Sequence, residues 1–151
     1  MSMKKTQTGF TLIEIMVAIS IVSILSAVVM VQFTSYSKKA RASKALAQIS
    51  SALPSMYSCW GNGGIVLGPS SESGGNNICS IGDTYGKFPS LYTSSTDLST
   101  YSYGLSNLSS SSSWFIRVIS PPEDDNIAIC CSSATNSCEI TGDFTTMGTC
   151  N

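Results

Sequence analysis

The stretch TGFTLIEIMVA, residues 8–18, sets one carboxylate, Glu14, into an otherwise apolar run just after a charged amino terminus. Between Lys5 and Lys38 the sequence has no other charged residue. Residues 10–31 are apolar except for Glu14, one threonine and three serines. At about 1.5 Å per residue, a helix of this length crosses a hydrocarbon core of about 30 Å. A carboxylate at the centre of a membrane helix costs about 2 to 4 kcal/mol, so Glu14 needs a partner or a function.

An amphipathic pattern follows the apolar run. Apolar residues recur there at helical spacing, at Ala42, Ala45, Leu46, Ile49, Leu53, Met56 and Tyr57. A polar stripe occupies another face, at Arg41, Lys44, Gln48, Ser51 and Ser55. We predict one long helix over residues 10–58, apolar all round in its first half and on one side in its second. Pro54 removes an internal hydrogen bond and clashes with the preceding turn, so we expect a bend or an early end there.

The distal part has the composition of loops and short strands. Gly, Asn and Ser dominate GNGG (61–64) and SESGGNN (71–77), which predict irregular loop. Aromatic and β-branched runs at WFIRVI (114–119), IAICC (127–131) and CEIT (138–141) predict an antiparallel sheet. Such a small sheet needs a partner, so it should pack on the apolar stripe of the helix. The predicted fold class is α+β, a long N-terminal helix packed on a small antiparallel head.

All six cysteines lie downstream of the apolar segment, at Cys59, Cys79, Cys130, Cys131, Cys138 and Cys150. An even number on one side of a membrane helix indicates disulfides formed outside the cytoplasm. A metal site is the competing interpretation, but the chain has no histidine and no CxxC spacing. Free structural cysteines, without disulfides or metal, are a third interpretation.

Six cysteines allow 15 pairings, which geometry narrows. Cys130 and Cys131 are neighbours on a predicted strand, so their side chains point to opposite faces. A symmetric hairpin places Cys138 opposite Cys131, and Cys130 then reaches the terminal Cys150. Cys59 and Cys79 remain, and their bond closes the loop after the long helix. A one-residue slip of the hairpin would exchange Cys130 and Cys131.

Charge is unevenly distributed although the net charge is −1. From Pro54 onward two basic residues face eight acidic ones, which argues against nucleic acid as a partner of the head. The basic cluster at residues 38–44 is interpreted as a solvated helix face near lipid head groups. The run PEDDN (122–126) is a solvated acidic turn or, alternatively, a calcium site, although EF-hand spacing is missing. The run SSSSS (109–113) is a flexible approach to the first strand or a glycan-bearing tract.

The leader MSMKKTQTG and the motif GFTLIE, followed by a long apolar helix, resemble the type IV pilin and pseudopilin superfamily. The resemblance implies that a prepilin peptidase cleaves between Gly9 and Phe10 and methylates the new amine of Phe10. It also implies that Glu14 pairs with the Phe10 amine of a neighbouring subunit and sets the register of the filament. Many type IV pilins carry glycine and then proline in this helix, where this sequence has Ser23 and Val31.

The resemblance divides the chain into a cleaved leader (1–9), a membrane and filament-core helix (10–33), an amphipathic helix half (34–58) and a disulfide-stapled head (59–151). Implied partners are identical or homologous pilin subunits, the prepilin peptidase, and an assembly platform with its ATPase. The implied location is the inner membrane before assembly, then an extracellular pilus or a periplasmic pseudopilus.

Three functions are compatible with these features. The first is a structural subunit of a type IV pilus serving adhesion, motility or DNA uptake. The second is a pseudopilin of a type II secretion system, and the third is a minor tip pilin that acts as a binding module. An enzyme is not indicated, because a nucleophilic serine would lack a histidine base and Lys87 lies in no recognisable motif. No cofactor and no metal are expected.

Overall fold

The computed structural model describes residues 9–91, 98–142 and 150. Residues 1–8 of the predicted leader lie outside them. In the described residues, two helices and four strands follow in the order α1 (Leu12–Ser50), α2 (Leu53–Gly61), β1 (Ser102–Asn107), β2 (Phe115–Ser120), β3 (Ile127–Ser132) and β4 (Ser137–Gly142), with one 3-10 turn at Asp83–Tyr85. The chain forms two compact units, Met1–Ser37 and Lys38–Asn151.

The long helix is interrupted before Pro54. α1 ends at Ser50, which is four residues before this proline, and α2 carries Pro54 in its first turn. A proline inside a helix cannot donate to the carbonyl four residues earlier and its ring clashes with that carbonyl, whereas the first turn tolerates it. The single helix predicted for residues 10–58 is therefore two helices, and the early end expected at Pro54 falls at Ser50.

The predicted apolar stripe is buried in the second unit. Ala45 and Ile49 of α1 and Met56 of α2 are each 1% exposed or less. α2 ends in a Schellman motif, because the N–H of Gly64 donates to the Cys59 carbonyl (2.9 Å) and that of Gly63 donates to the Trp60 carbonyl (3.1 Å). Gly63 has a φ of 75°, which explains the glycine at that position.

The four described strands form an antiparallel meander in the order β1-β2-β3-β4. Three of them lie at the predicted runs. β2 alternates strictly, with Ile116 and Val118 buried towards the core. β1 was not predicted from the sequence, because its SYGLSN run is poor in β-branched residues and contains a glycine. It pairs with β2 through a register shift between Tyr103 and Ser106.

One hydrophobic core joins the sheet to both helices. Its fully buried large side chains include Ile49, Met56, Ile78, Phe88, Leu91, Leu98, Tyr101, Ile116, Val118 and Ile129. Loop residues therefore supply a large part of the core alongside the helices and strands. The architecture is α+β and pilin-like, as the sequence predicted.

Candidate processing and assembly site

Thr11 and Glu14 form a capping box at the start of α1. The backbone N–H and the hydroxyl of Thr11 each donate to Oε2 of Glu14, both at 2.8 Å. The N–H of Glu14 lies 3.4 Å from the Thr11 hydroxyl oxygen in return. The TLIE sequence carries the T-x-x-E signal of this motif, which the sequence analysis missed. The carboxylate is thus held at the positive end of the helix dipole.

Oε1 of Glu14 accepts no hydrogen bond from any residue that the structure describes. The carboxylate therefore keeps acceptor capacity beyond the cap. Phe10 lies about one helical turn before Glu14 and is 85% exposed. Phe10, the residue after the predicted cleavage point, and Glu14, the predicted register residue, thus lie at the same exposed start of the helix.

Gly9 lies in open space. A Cβ atom built on Gly9 meets no heavy atom within 4 Å, and its φ is outside the left-handed region. The described fold therefore does not require a glycine at this position. This differs from Gly63, whose φ needs one.

The apolar part of α1 has the length and composition to cross a membrane, the one such helical region in the described chain. Its large apolar side chains between Leu12 and Met30 are all more than half exposed. Ser20, Ser23 and Ser26 donate their hydroxyls to the carbonyls four residues earlier, at 2.7, 2.7 and 2.8 Å. Such back-bonding satisfies serine in an apolar setting and slightly weakens the helix.

Two residues of the basic cluster bind the acidic turn. Arg41 donates from Nε to Oδ2 of Asp125 (2.8 Å) and from Nη2 to Oδ1, and Lys38 Nζ donates to the Asp124 carbonyl (2.6 Å). The Asp125 side chain is only 1% exposed. The interpretation of the basic cluster as a solvated face is therefore wrong for Lys38 and Arg41, and that of PEDDN as a solvated turn is wrong for Asp125.

The surroundings of Asp125 determine its ionisation. Hydrogen bonds from the Arg41 guanidinium hold the pKa of Asp125 below its ordinary value, although burial acts in the opposite direction. Burial, followed by the nearby Asp125 charge, raises the pKa of the Tyr101 hydroxyl. Both effects favour ionised Asp125 and neutral Tyr101 at neutral pH. Within residues 9–91, 98–142 and 150, no three His, Cys, Asp or Glu side chains are placed to hold a metal.

The structure contains three disulfides, Cys59–Cys79, Cys130–Cys150 and Cys131–Cys138. Cys131 and Cys138 are direct neighbours across β3 and β4, and Cys130 instead faces Glu139. The symmetric hairpin assumed in the sequence analysis has the same register. Cys59 and Cys79 are at most 2% exposed, so their bond lies inside the core.

The family model for the prokaryotic N-terminal methylation motif matches residues 4–30. This is the motif at which type IV prepilins are cleaved and methylated. It marks structural proteins of the pilin type rather than enzymes. No curated protein and no solved structure matches the chain.

Proposed function

We propose that this chain is a prepilin, cleaved between Gly9 and Phe10, methylated on the Phe10 amine and polymerised into an extracellular filament. The observation that carries the proposal is the methylation motif over residues 4–30, with Glu14 held at the start of the exposed apolar helix. The chain is then the substrate of a peptidase and not itself an enzyme. Its domains are the cleaved leader (1–9), the filament-core helix (10–33), the amphipathic half (34–58) and the head (59–151).

The surroundings of Gly9 support cleavage after it. Since the described fold does not require glycine there, a constraint from outside the chain accounts for the residue. A peptidase that accepts only a small side chain next to the scissile bond supplies that constraint. Cleavage also removes Lys4 and Lys5, whose charges hold the amino terminus in the cytoplasm.

Glu14 has the properties of an intersubunit partner. Its Oε2 is fixed by the cap, while Oε1 has room for a further donor. In an apolar environment a cationic amine stabilises this carboxylate far more than the helix dipole does. The Phe10 amine of a second subunit supplies that cation, and the pair fixes the helix register in the filament.

Of the two filament types, we propose that the chain forms a surface pilus rather than a secretion pseudopilus. Three disulfides in a head of this size favour a fibre exposed outside the cell. The chain is then inserted in the inner membrane by its apolar helix, and an assembly platform with its ATPase incorporates it into the filament. Electron microscopy of shed filaments, with the chain identified by mass spectrometry, tests this choice.

Cleavage is tested by Gly9→Leu with Gly9→Ala as the matched control. The open space around Gly9 predicts that neither variant changes the fold. We expect leucine to block cleavage and leave full-length protein in the membrane, and alanine to be processed at least partly. Mass spectrometry of wild-type filaments should find Phe10, carrying one added methyl group, as the first residue. Any other amino terminus in assembled material would overturn the assignment.

A further inference from the structure

An open cavity of about 670 Å³ lies in the second unit. Three segments build its walls, residues 71–73, residues 99–102 before and within β1, and the turn at 121–124 after β2. Five of its nine lining residues are serine or threonine, and two, Glu72 and Asp124, are acids. None of the nine is basic. The volume is in the usual range of about 300 to 1,000 Å³ for small-molecule sites.

Each wall of this cavity is held to the rest of the second unit by hydrogen bonds or by a buried side chain. The Glu72 carbonyl accepts from the N–H of Tyr103 (2.8 Å) and the Ser73 carbonyl accepts from the N–H of Leu91 (3.0 Å). The Asp124 carbonyl accepts from Lys38 Nζ (2.6 Å). Tyr101, which is 1% exposed, anchors the segment at residues 99–102 in the core. The cavity is therefore pre-formed rather than a gap between loose loops.

Acceptors and hydroxyls dominate the cavity. The nearby cations are not among the lining residues, although Lys38 donates to the backbone carbonyl of Asp124 and Arg41 binds Asp125, the next residue in sequence. Thr100 Oγ1 is buried and finds no hydrogen-bond partner in the described part of the chain. A buried hydroxyl of this kind is stabilised when a ligand or water supplies the missing bond.

We propose that this cavity binds a saccharide, neutral or amino-bearing but not acidic. Sugar hydroxyls and ammonium groups are donors for the Glu72 and Asp124 carboxylates, and bonds to an ionised acceptor are the stronger kind. Serine and threonine hydroxyls both donate and accept, which suits the dense hydroxyls of a sugar ring. An anionic ligand would meet two carboxylates and no basic side chain among the lining residues. A divalent ion would find only these two carboxylates among the lining residues.

The test uses the full-length, unassembled chain in lauryldimethylamine oxide, a detergent without a sugar head group. Three tetrasaccharides of equal length are titrated by calorimetry: cellotetraose (neutral), the glucosamine tetramer (cationic) and tetragalacturonate (acidic). We expect saturable binding of one or both of the first two and at least tenfold weaker binding of the third. Because filament assembly is not needed, failure here and failure of the proposed pilin function are separate results.

Variants locate the binding in the cavity. Glu72→Gln and Asp124→Asn keep shape and remove charge, and each should weaken binding about five- to tenfold. Glu123→Gln is the matched control, because Glu123 is exposed, adjacent to Asp124 and outside the lining. A Ser99→Trp variant, placed at an exposed lining residue, should abolish binding while circular dichroism stays unchanged. The proposal is overturned if neither sugar binds, if the acidic sugar binds equally, or if Glu72→Gln and Asp124→Asn both match the control.

Discussion

Arg41 and Asp125 form a bidentate ion pair across 84 positions of sequence. The pair connects α1 to the turn between β2 and β3, a turn further fixed because the Asp125 N–H donates to the buried Ser120 hydroxyl (3.2 Å). Lys38 binds the same turn one residue earlier. With a side chain 1% exposed, Asp125 has almost no access to water as a substitute partner. The buried carboxylate of Asp125 therefore depends on Arg41 for its stabilisation.

Removal of one member should destabilise the head strongly. Asp125→Ala leaves the Arg41 charge without its carboxylate, and we expect the free energy of unfolding to fall by about 3 kcal/mol. Urea unfolding of the full chain in detergent micelles measures this, with fluorescence of Trp60 and Trp114, both in the second unit, as the signal. Glu123→Ala, at an exposed neighbouring site, should change it by less than about 0.5 kcal/mol.

A double variant separates the contribution of the ion pair to stability from the contribution of the packing around it. Replacing both charges, with Arg41→Met and Asp125→Leu together, should cost clearly less than the sum of the two single replacements, because no uncompensated charge remains. If the losses simply add, the ion pair has no coupling and the assignment of stability to it is wrong.

The lowered pKa of Asp125 predicts acid sensitivity of the head. A carboxylate whose folded pKa lies below its unfolded value of about 3.9 stabilises the fold at higher pH. We expect this contribution to be complete above about pH 5 and to be lost as the pH falls through the folded pKa. The loss is at most about 1.4 kcal/mol per pH unit for one proton. In Asp125→Asn this part of the acid dependence should disappear, so equal pH slopes for variant and wild type would contradict the prediction.

Periodicity predicted the parts of the fold that depend on local pattern. The stripe with Ala45 and Ile49 is buried as expected, and three strands lie at the predicted runs. The register that places Cys131 opposite Cys138 followed from counting outward from a symmetric turn. A break in the long helix near Pro54 was also readable, because a proline inside a helix cannot donate to the carbonyl four residues earlier and clashes with it.

Long-range contacts were not predictable in the same way. Arg41 and Asp125 each lie in a charge run typical of solvated surface, and only the packing of the turn on α1 brings them together. β1 lacks the residues that usually mark a strand, and it is a strand because Tyr103 packs in the core beside Phe88. The capping box differs from both, since its T-x-x-E signal is readable in TLIE at residues 11–14.

The capping box makes Glu14→Gln an informative variant. Glutamine still accepts from Thr11 at this helix position, so the start of α1 and the cleavage after Gly9 should be unaffected. Only the charge is lost, and with it the proposed attraction to the Phe10 amine of a neighbouring subunit. We expect processed protein to accumulate in the membrane and filament yield to fall at least tenfold.

Thr11→Ala is the reciprocal control for this experiment. It keeps the Glu14 charge and the backbone N–H bond to Oε2, but it removes the hydroxyl half of the capping box, at a cost of about 1 kcal/mol to the helix start. Filament yield should fall less than in Glu14→Gln. If Glu14→Gln assembled with the same filament yield as wild type, both alone and in competition with it, the register role would have to be abandoned.

The last prediction concerns the packing of Gly64 on the Cys59–Cys79 disulfide. A Cβ at Gly64 would lie 2.6 Å from the Cys79 sulfur and 2.8 Å from the Cys59 sulfur, closer than atoms can pack. Gly64→Ala should therefore lower the free energy of unfolding by about 1 to 3 kcal/mol and reduce the fraction of this bond in non-reducing peptide maps. Gly61→Ala, with nothing within 4 Å, is the matched control. Equal stability of the two variants would contradict the predicted clash, and a map joining Cys59 to a cysteine beyond Cys79 would show that the loop is closed in another way.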